Sequence, residues 1–250
     1  MVGFGYCHVA ISPMRAEASD RAEIVSQLLF GEPIEILEIH EQWRKIRSYI
    51  DNYEGWIDEK HLTPLREKAF FRWIDSVTTE HQLIRRLQTP LGPMRITRGA
   101  FVSVELTSTF SIGEHQYEWL DEEMPFPTSI VELAKDYLNT PYLWGGKSPF
   151  GIDCSGFMQV IHRLFDINLP RDAYEQQEHG SLITFGEQQT GDLVFFENAS
   201  GKIHHVGLLI NENEIIHASG FVRIDDFTKE GIIRRTDGYL SHRLHSIKRI

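Results

Sequence analysis

The sequence predicts an α+β fold in which helices pack on an antiparallel sheet, preceded by one or two small β-barrels. Three observations carry the prediction. In the C-terminal half, two stretches place apolar residues three and four apart: Ile130, Leu133, Ala134, Tyr137 and Leu138, then Phe157, Val160, Ile161, Leu164 and Phe165. Each set falls on one helical face. Three strand patterns follow without alternation, at 192–197, 204–210 and 214–219, separated by Asn198-Ala199-Ser200-Gly201 and Asn211-Glu212-Asn213. Helices first and a meander after indicate helices on one side of a sheet. Residues 1–65, by contrast, hold only short strands and turns.

At 250 residues the chain exceeds the usual single domain and accommodates two or three small ones. We place them at 1–65, 66–124 and 125–250, with Pro125-Phe126-Pro127 at the second boundary. A formal net charge of −11 argues against a nucleic-acid backbone or an anionic membrane as partner, since both need a basic surface. It places no limit on small substrates. Oligomeric state is not legible. Cys7 and Cys154 differ too much in context to suggest a disulfide framework. Cys7 lies in a half-buried strand pattern, Tyr6 to Ile11, where packing is its expected role. The start of the chain lacks a basic segment followed by a long apolar one, and no run is long enough to span a bilayer. A cytoplasmic location is expected, or export if a leader has been removed.

The first 65 residues read as a small barrel. Ile24 to Phe30 runs into Gly31-Glu32-Pro33, Ile34 to Ile39 alternates apolar and charged residues, and Trp43-Arg44-Lys45-Ile46 and Tyr53-Glu54-Gly55-Trp56-Ile57 follow. This order resembles bacterial SH3-like domains, in which a late Gly-Trp recurs. Between 66 and 124 the pattern is weaker. Gln82 to Leu87 fits a helix or a strand, Phe101 to Leu106 reads as a strand, and Pro90, Gly92, Pro93, Gly99 and Gly113 punctuate. A second small β-rich domain is the expectation here.

Ser129-Ile130-Val131-Glu132 is a capping-box pattern opening the first helix, which ends before Pro141. The second opens at Gly151-Ile152-Asp153-Cys154-Ser155-Gly156-Phe157. Cys154 falls in or before the first turn, where Asp153 or Ser155 can cap and the helix dipole favours a thiolate. Most free cysteines simply pack. A nucleophile needs a base and a third group to orient that base. If Ile210 pairs with Glu214 across a three-residue turn, His205 and His217 become diagonal neighbours on one face of the sheet while His204 points to the other. His205 as base and His217 as its orienter then complete a triad with Cys154. A one-residue slip would part them. A zinc site from His204, His205, His217 and Cys154 is disfavoured, since adjacent strand residues face opposite ways and no usual ligand spacing occurs. No metal and no cofactor are expected.

Tyr142-Leu143-Trp144-Gly145-Gly146, Asp153-Cys154-Ser155-Gly156-Phe157, Pro170-Arg171-Asp172, Gly191-Asp192-Leu193-Val194-Phe195-Phe196, His205-Val206-Gly207 and Ile216-His217-Ala218 resemble the successive motifs of the NlpC/P60 family of cell-wall cysteine peptidases. The resemblance implies a papain-like domain, with Cys154 as nucleophile, His205 as base, His217 as third member and Tyr142 as an oxyanion donor. An SH3-like domain in front resembles the dipeptidyl-peptidase branch, which cleaves γ-D-glutamyl bonds to diamino acids in murein stem peptides with a free L-alanine amine. That cation calls for carboxylates and a hydroxyl. The resemblance matches Asp172 to the family's acidic residue and Tyr53 of the first barrel to a tyrosine completing the pocket; Asp153 and Ser155, which flank the nucleophile, and Glu23, as acidic partner of Tyr53, are our further candidates. Ala173 departs from the pattern, since many relatives carry serine there. Two other readings keep the fold: an idle scaffold that only binds wall peptides, or an amidase or acyltransferase using the same Cys-His-His set.

Overall fold

A computed structural model describes residues 2–105 and 107–250. The chain divides into two compact units, 1–126 with 147–149, and 127–146 with 150–250.

In the first unit, β1 (Gly3–Cys7), β2 (Ile11–Arg15), β3 (Ile24–Leu29), β4 (Pro33–His40), β5 (Trp43–Ser48), β6 (Glu54–Asp58) and β7 (Leu62–Leu65) form one sheet in the order β3-β2-β6-β5-β4-β1-β7. The alternation read in 34–39 holds through Ile36, whose pairing with Ile46 aims Ile34, Ile36 and Ile46 at Cys7, Met14, Leu28, Ile57 and Leu62, and breaks at Leu37, a bulge residue, leaving Ile39 exposed. Cys7 packs there, as expected.

After β7 comes α1 (Glu67–Ser76), then β8 (Val77–Thr79), β9 (Ile84–Thr89), β10 (Gly92–Thr97), β11 (Phe101–Ser103), β12 (Thr109–Ile112) and β13 (His115–Trp119). The sequence reading missed α1, whose buried residues are Phe70 and Trp73, three apart. The ambiguous stretch at 82–87 contributes to β9, a strand. The pattern expected through Leu106 is a strand to Ser103, and Leu106 lies outside the described residues. β10-β9-β13-β12 form one sheet and β11-β8 another. Tyr6 and Leu29 of the first sheet, with Phe30 in the turn after β3, share an apolar core with Trp73, Leu87, Ile96, Phe101, Phe110 and Tyr117, so segments 1–65 and 66–124 pack as one body. Gly31 sits at this junction with φ +76°, and a Cβ there would lie 2.0 Å from the Phe101 carbonyl oxygen. Only glycine fits.

The excursion carrying β14 (Lys147–Ser148) also belongs to this unit. The Lys147 amide donates to Gln27 Oε1 at 2.8 Å, and Lys147 Nζ lies 3.6 Å from Glu32 Oε2, both side chains buried. Glu32 accepts further from Ser48 Oγ and the Leu29 amide. Such pairing offsets the large cost of burying two charges.

The second unit comprises α2 (Ile130–Lys135), β15 (Gly151–Ile152), α3 (Cys154–Arg163), α4 (Ala173–Gln176) and seven strands: β16 (Ser181–Ile183), β17 (Leu193–Glu197), β18 (Ile203–Asn211), β19 (Glu214–Ser219), β20 (Phe221–Thr228), β21 (Gly231–Ile233) and β22 (Leu240–Arg249). Ser129 caps α2 by accepting from the Val131 amide. The sheet runs β16-β22-β17-β18-β19-β20-β21, and β22 pairs with β21 as well as with β17. The expected meander is present, closed on itself by the last strand. All ten residues of α3 are buried, its apolar face against β18 and β19. Among the described residues no helix is long and apolar enough to cross a membrane.

Candidate active site

Cys154 opens α3, and a dense hydrogen-bond set fixes the turn before it. Asp153 is the N-cap: its Oδ1 accepts from the Gly156 amide at 2.7 Å and its Oδ2 from the Gly145 amide at 2.8 Å. Arg171, wholly buried, forks onto both Asp153 oxygens and donates to Ser155 Oγ at 2.9 Å. Gln176 of α4 donates to the Ser155 carbonyl at 3.0 Å. The carboxylate of Asp153 and the hydroxyl of Ser155, both candidates for substrate contact in the sequence, are thus bonded inward to the protein.

The Cys154 side chain is 6 % exposed. Burial pushes its thiol up to about 12, with the Asp153 charge adding to the rise. Backbone amides of Val206 and Ser155 and the Arg171 charge pull the other way and lose. The expectation that the helix start favours a thiolate is therefore corrected: dehydration of the sulfur outweighs the helix dipole. The thiol needs a base to ionise it.

The candidate base, His205, stands on the hairpin β18–β19. Leu208 pairs with Ile216 and Leu209 with Ile215, the register expected, but the turn is Glu212-Asn213 with Asn211 opposite Glu214. Ile210 is an extra residue, a bulge that compensates for the shorter turn and preserves the parity of the histidines. His205 Nε2 lies 2.8 Å from His217 Nδ1. Gly207 makes room: a Cβ there would meet His217 Cβ at 3.0 Å and Ile215 Cδ1 at 2.8 Å. His204 is itself a bulge residue, skipped between Phe196↔His205 and Glu197↔Ile203. Its ring therefore lies 6.4 Å from that of His205 instead of across the sheet.

The line continues to a residue that the sequence reading did not name. His217 Nε2 lies 3.1 Å from Oδ2 of Asp225 in β20, which is fully buried. Burial acts to raise the Asp225 carboxyl, but hydrogen bonds from His217, Arg223 and the Arg235 amide outweigh it and hold it at about 2. An ionised carboxylate only accepts, so His217 carries its proton on Nε2 and presents a lone pair at Nδ1. His205 Nε2 must then donate to it. The remaining nitrogen of His205, Nδ1, is left unprotonated, the state a general base requires. Burial lowers both histidines from their ordinary values, His205 strongly, with neighbouring His242, His217 and His204 adding to the effect on His205. The resting cysteine and histidine are both neutral.

Tyr142 is held by a parallel bridge to Ile152 and by its amide donating to the Gly220 carbonyl at 2.9 Å. Its hydroxyl is pushed up chiefly by burial, with Cys154 and Asp153 beside it disfavouring a second anion, and so keeps its proton for donation. Asp172 is the N-cap residue of α4 and makes no side-chain bond to the helix's own amides. Tyr53 and Glu23 belong to the first unit: Tyr53 precedes β6 and packs partly against the Cys7 cluster, and Glu23 is exposed before β3.

His242 of β22, also unnamed in the sequence reading, stacks on His205 with centroids 4.1 Å apart and planes at 24°. Strand parity supplies a signal for Asp225, two residues from the partner of His217 in the register His217↔Arg223. For His242 and Arg171 no local signal exists.

The architecture has counterparts among known proteins. The profile of the NlpC/P60 family matches residues 139–241, and that of the bacterial dipeptidyl-peptidase Sh3 domain matches 14–62. A solved NlpC/P60 family protein from Bacillus cereus superposes with a TM-score of 0.80 over 99 % of both chains at 19 % identity, a likeness of fold. A γ-D-glutamyl-L-lysine dipeptidyl-peptidase of Bacillus cereus is 28 % identical over 87 % of this chain and 73 % of its own. A probable endopeptidase NlpC of Escherichia coli is 42 % identical over 46 % of this chain and 71 % of its own. With the buried cysteine at a helix start facing a histidine hairpin, these matches place the chain in the NlpC/P60 family, as a cysteine peptidase with an SH3-like barrel ahead of its catalytic domain.

Proposed function

We propose that the protein hydrolyses peptidoglycan stem peptides, cutting the bond between γ-D-glutamate and the following L-diamino acid in stems with a free N-terminal L-alanine. The carrying observation is the line His205–His217–Asp225, which leaves His205 Nδ1 unprotonated. The names of the relatives support the substrate class.

In this reading His205 Nδ1 takes the Cys154 proton as the sulfur attacks the γ-carbonyl carbon. A carbon–sulfur bond forms and the carbonyl becomes an oxyanion, to which the Tyr142 hydroxyl donates; one such donor is worth roughly two orders of magnitude in rate. The imidazolium, its charge countered through His217 by Asp225, returns the proton to the departing amine. Collapse breaks the carbon–nitrogen bond and leaves a thioester. Water, deprotonated by His205, then attacks it, and Cys154 regains its proton. Asp153 and Ser155 serve by holding the nucleophile turn, and Asp172 is our choice for the alanine amine.

The test is release of diamino acid from L-Ala-γ-D-Glu-diaminopimelate and from its N-acetyl form. Loss of release in Cys154→Ala and strong preference for the free amine are expected. Equal rates in Cys154→Ala and unaltered protein would overturn the catalytic reading. Equal turnover of both substrates would overturn the amine requirement alone.

A further inference from the structure

We propose that His205, His217 and His242 form a binding site for a divalent transition-metal ion, Zn²⁺ fitting best, whose occupation silences the peptidase. One ligand atom from each imidazole lies within 4.8 Å of the other two. An all-imidazole set favours zinc, copper or nickel over the oxygen-seeking calcium and magnesium.

Two ligands are prepared. His217 has its Nε2 proton committed to Asp225, so its Nδ1 lone pair faces the cluster. A carboxylate behind a histidine is the usual outer partner of a zinc ligand, fixing its tautomer and raising its basicity. His242 has Nδ1 at 2.9 Å from Ser241 Oγ, which leaves Nε2 to coordinate. It is only partly buried, whereas His205 and His217 are 4 % and 1 % exposed, so the ion enters past His242. Two parallel rings cannot aim in-plane lone pairs at one point. His242 must therefore leave its stack on His205, a motion its partial exposure permits.

The third ligand couples binding to catalysis. His205 Nε2 now donates to His217 at 2.8 Å. To coordinate, it passes its proton to Nδ1, with no net release, and the two nitrogens separate to about 3.3 Å, as zinc–nitrogen bonds of about 2.0–2.1 Å in a tetrahedron require. Nδ1 then carries a hydrogen and cannot accept one from Cys154. Metal binding and the general-base state exclude each other. Three protein ligands leave the fourth position to water, and the cysteine is not needed.

The inhibitory half rests on the peptidase reading; the binding half does not. Titrating the full-length Cys154→Ala protein with Zn²⁺ by calorimetry, and with Co²⁺ by visible absorption, should show one ion per chain. The double variant Cys154→Ala/His242→Phe should bind at least about tenfold more weakly. In the active protein, Zn²⁺ should inhibit and a chelator should reverse it. His242→Phe, which keeps a stacked ring, should need at least about tenfold more Zn²⁺ to halve its own metal-free rate. Absence of binding to Cys154→Ala would put the metal on the cysteine–histidine pair and overturn the site. Equal zinc affinity with and without His242 would overturn it too.

Discussion

His217 Nε2 and Asp225 Oδ2 stand 3.1 Å apart, and this one contact sets which nitrogen of each active-site histidine bears a proton. In Asp225→Asn, Oδ1 keeps two donors, Arg223 Nη2 and the Arg235 amide, against one at Oδ2, Arg223 Nε at 2.7 Å, so the amide oxygen stays at Oδ1. The NH₂ group is thereby turned toward His217. His217 would then be protonated on Nδ1 and His205 on the nitrogen needed as base. A fall in kcat/KM of roughly three to four orders of magnitude is expected, the scale of a wrong tautomer in a related triad. Circular dichroism should be unchanged. A loss below about threefold would show that the carboxylate does not control the tautomer.

Gly207 faces His217 with no space for a side chain. Gly207→Ala should shift the His217 ring, lowering kcat and stability by about 1–3 kcal/mol, as overpacking does. Unaltered turnover and melting temperature would contradict the close approach.

Arg171 holds Asp153 and Ser155 from inside. Arg171→Met leaves the Asp153 carboxylate buried without its counter-charge, a loss of roughly 3–5 kcal/mol. Arg171→Lys restores the charge without the fork and should fall between. Urea unfolding of the three proteins checks the order. Equal midpoints for Arg171→Met and the unaltered protein would refute the locking role.

His162 is 2 % exposed within α3, and burial lowers its pKa from the ordinary 6.5 to about 4, although its ring bonds to the Met158 carbonyl. The unfolded chain binds this proton more readily. Stability from this group is thus complete above about 6.5 and drains as pH falls toward 4, in total by roughly 3 kcal/mol. His162→Gln should flatten the acid limb of stability against pH in that window. An identical slope in the variant would remove His162 as the cause.

The period-two pattern of 204–219 and the three-and-four spacing after Cys154 made the helix, the hairpin and the His205–His217 pair legible, because short-range periodicity dictates which side chains share a face. Asp225 depended on a third strand's register, and His242 on β22 returning from the chain end to pair with β17. The first is a neighbouring hairpin whose parity carries the signal, whereas the second is a long-range pairing without local signature. The motif Pro170-Arg171-Asp172 drew attention to its acid, whereas the buried guanidinium carries the inward bonds, a role burial alone reveals. The thiol's acidity was misjudged because dehydration is invisible until packing is known. The helix at 67–76 carries the same signal, Phe70, Trp73 and Ile74 at three-and-four spacing, and was passed over in a segment read as β-rich.

The bulge at Ile210 makes the hairpin tip a tolerant place for changes in chain length. Deleting Ile210 would leave Leu209↔Ile215 and Asn211↔Glu214 as consecutive pairs, with both histidines still aligned. Removing one residue between His205 and Leu209 would instead turn His205 to the opposite face. Descendants of this sequence are therefore expected to gain and lose residues at the tip of this loop while the few positions below it keep a constant count.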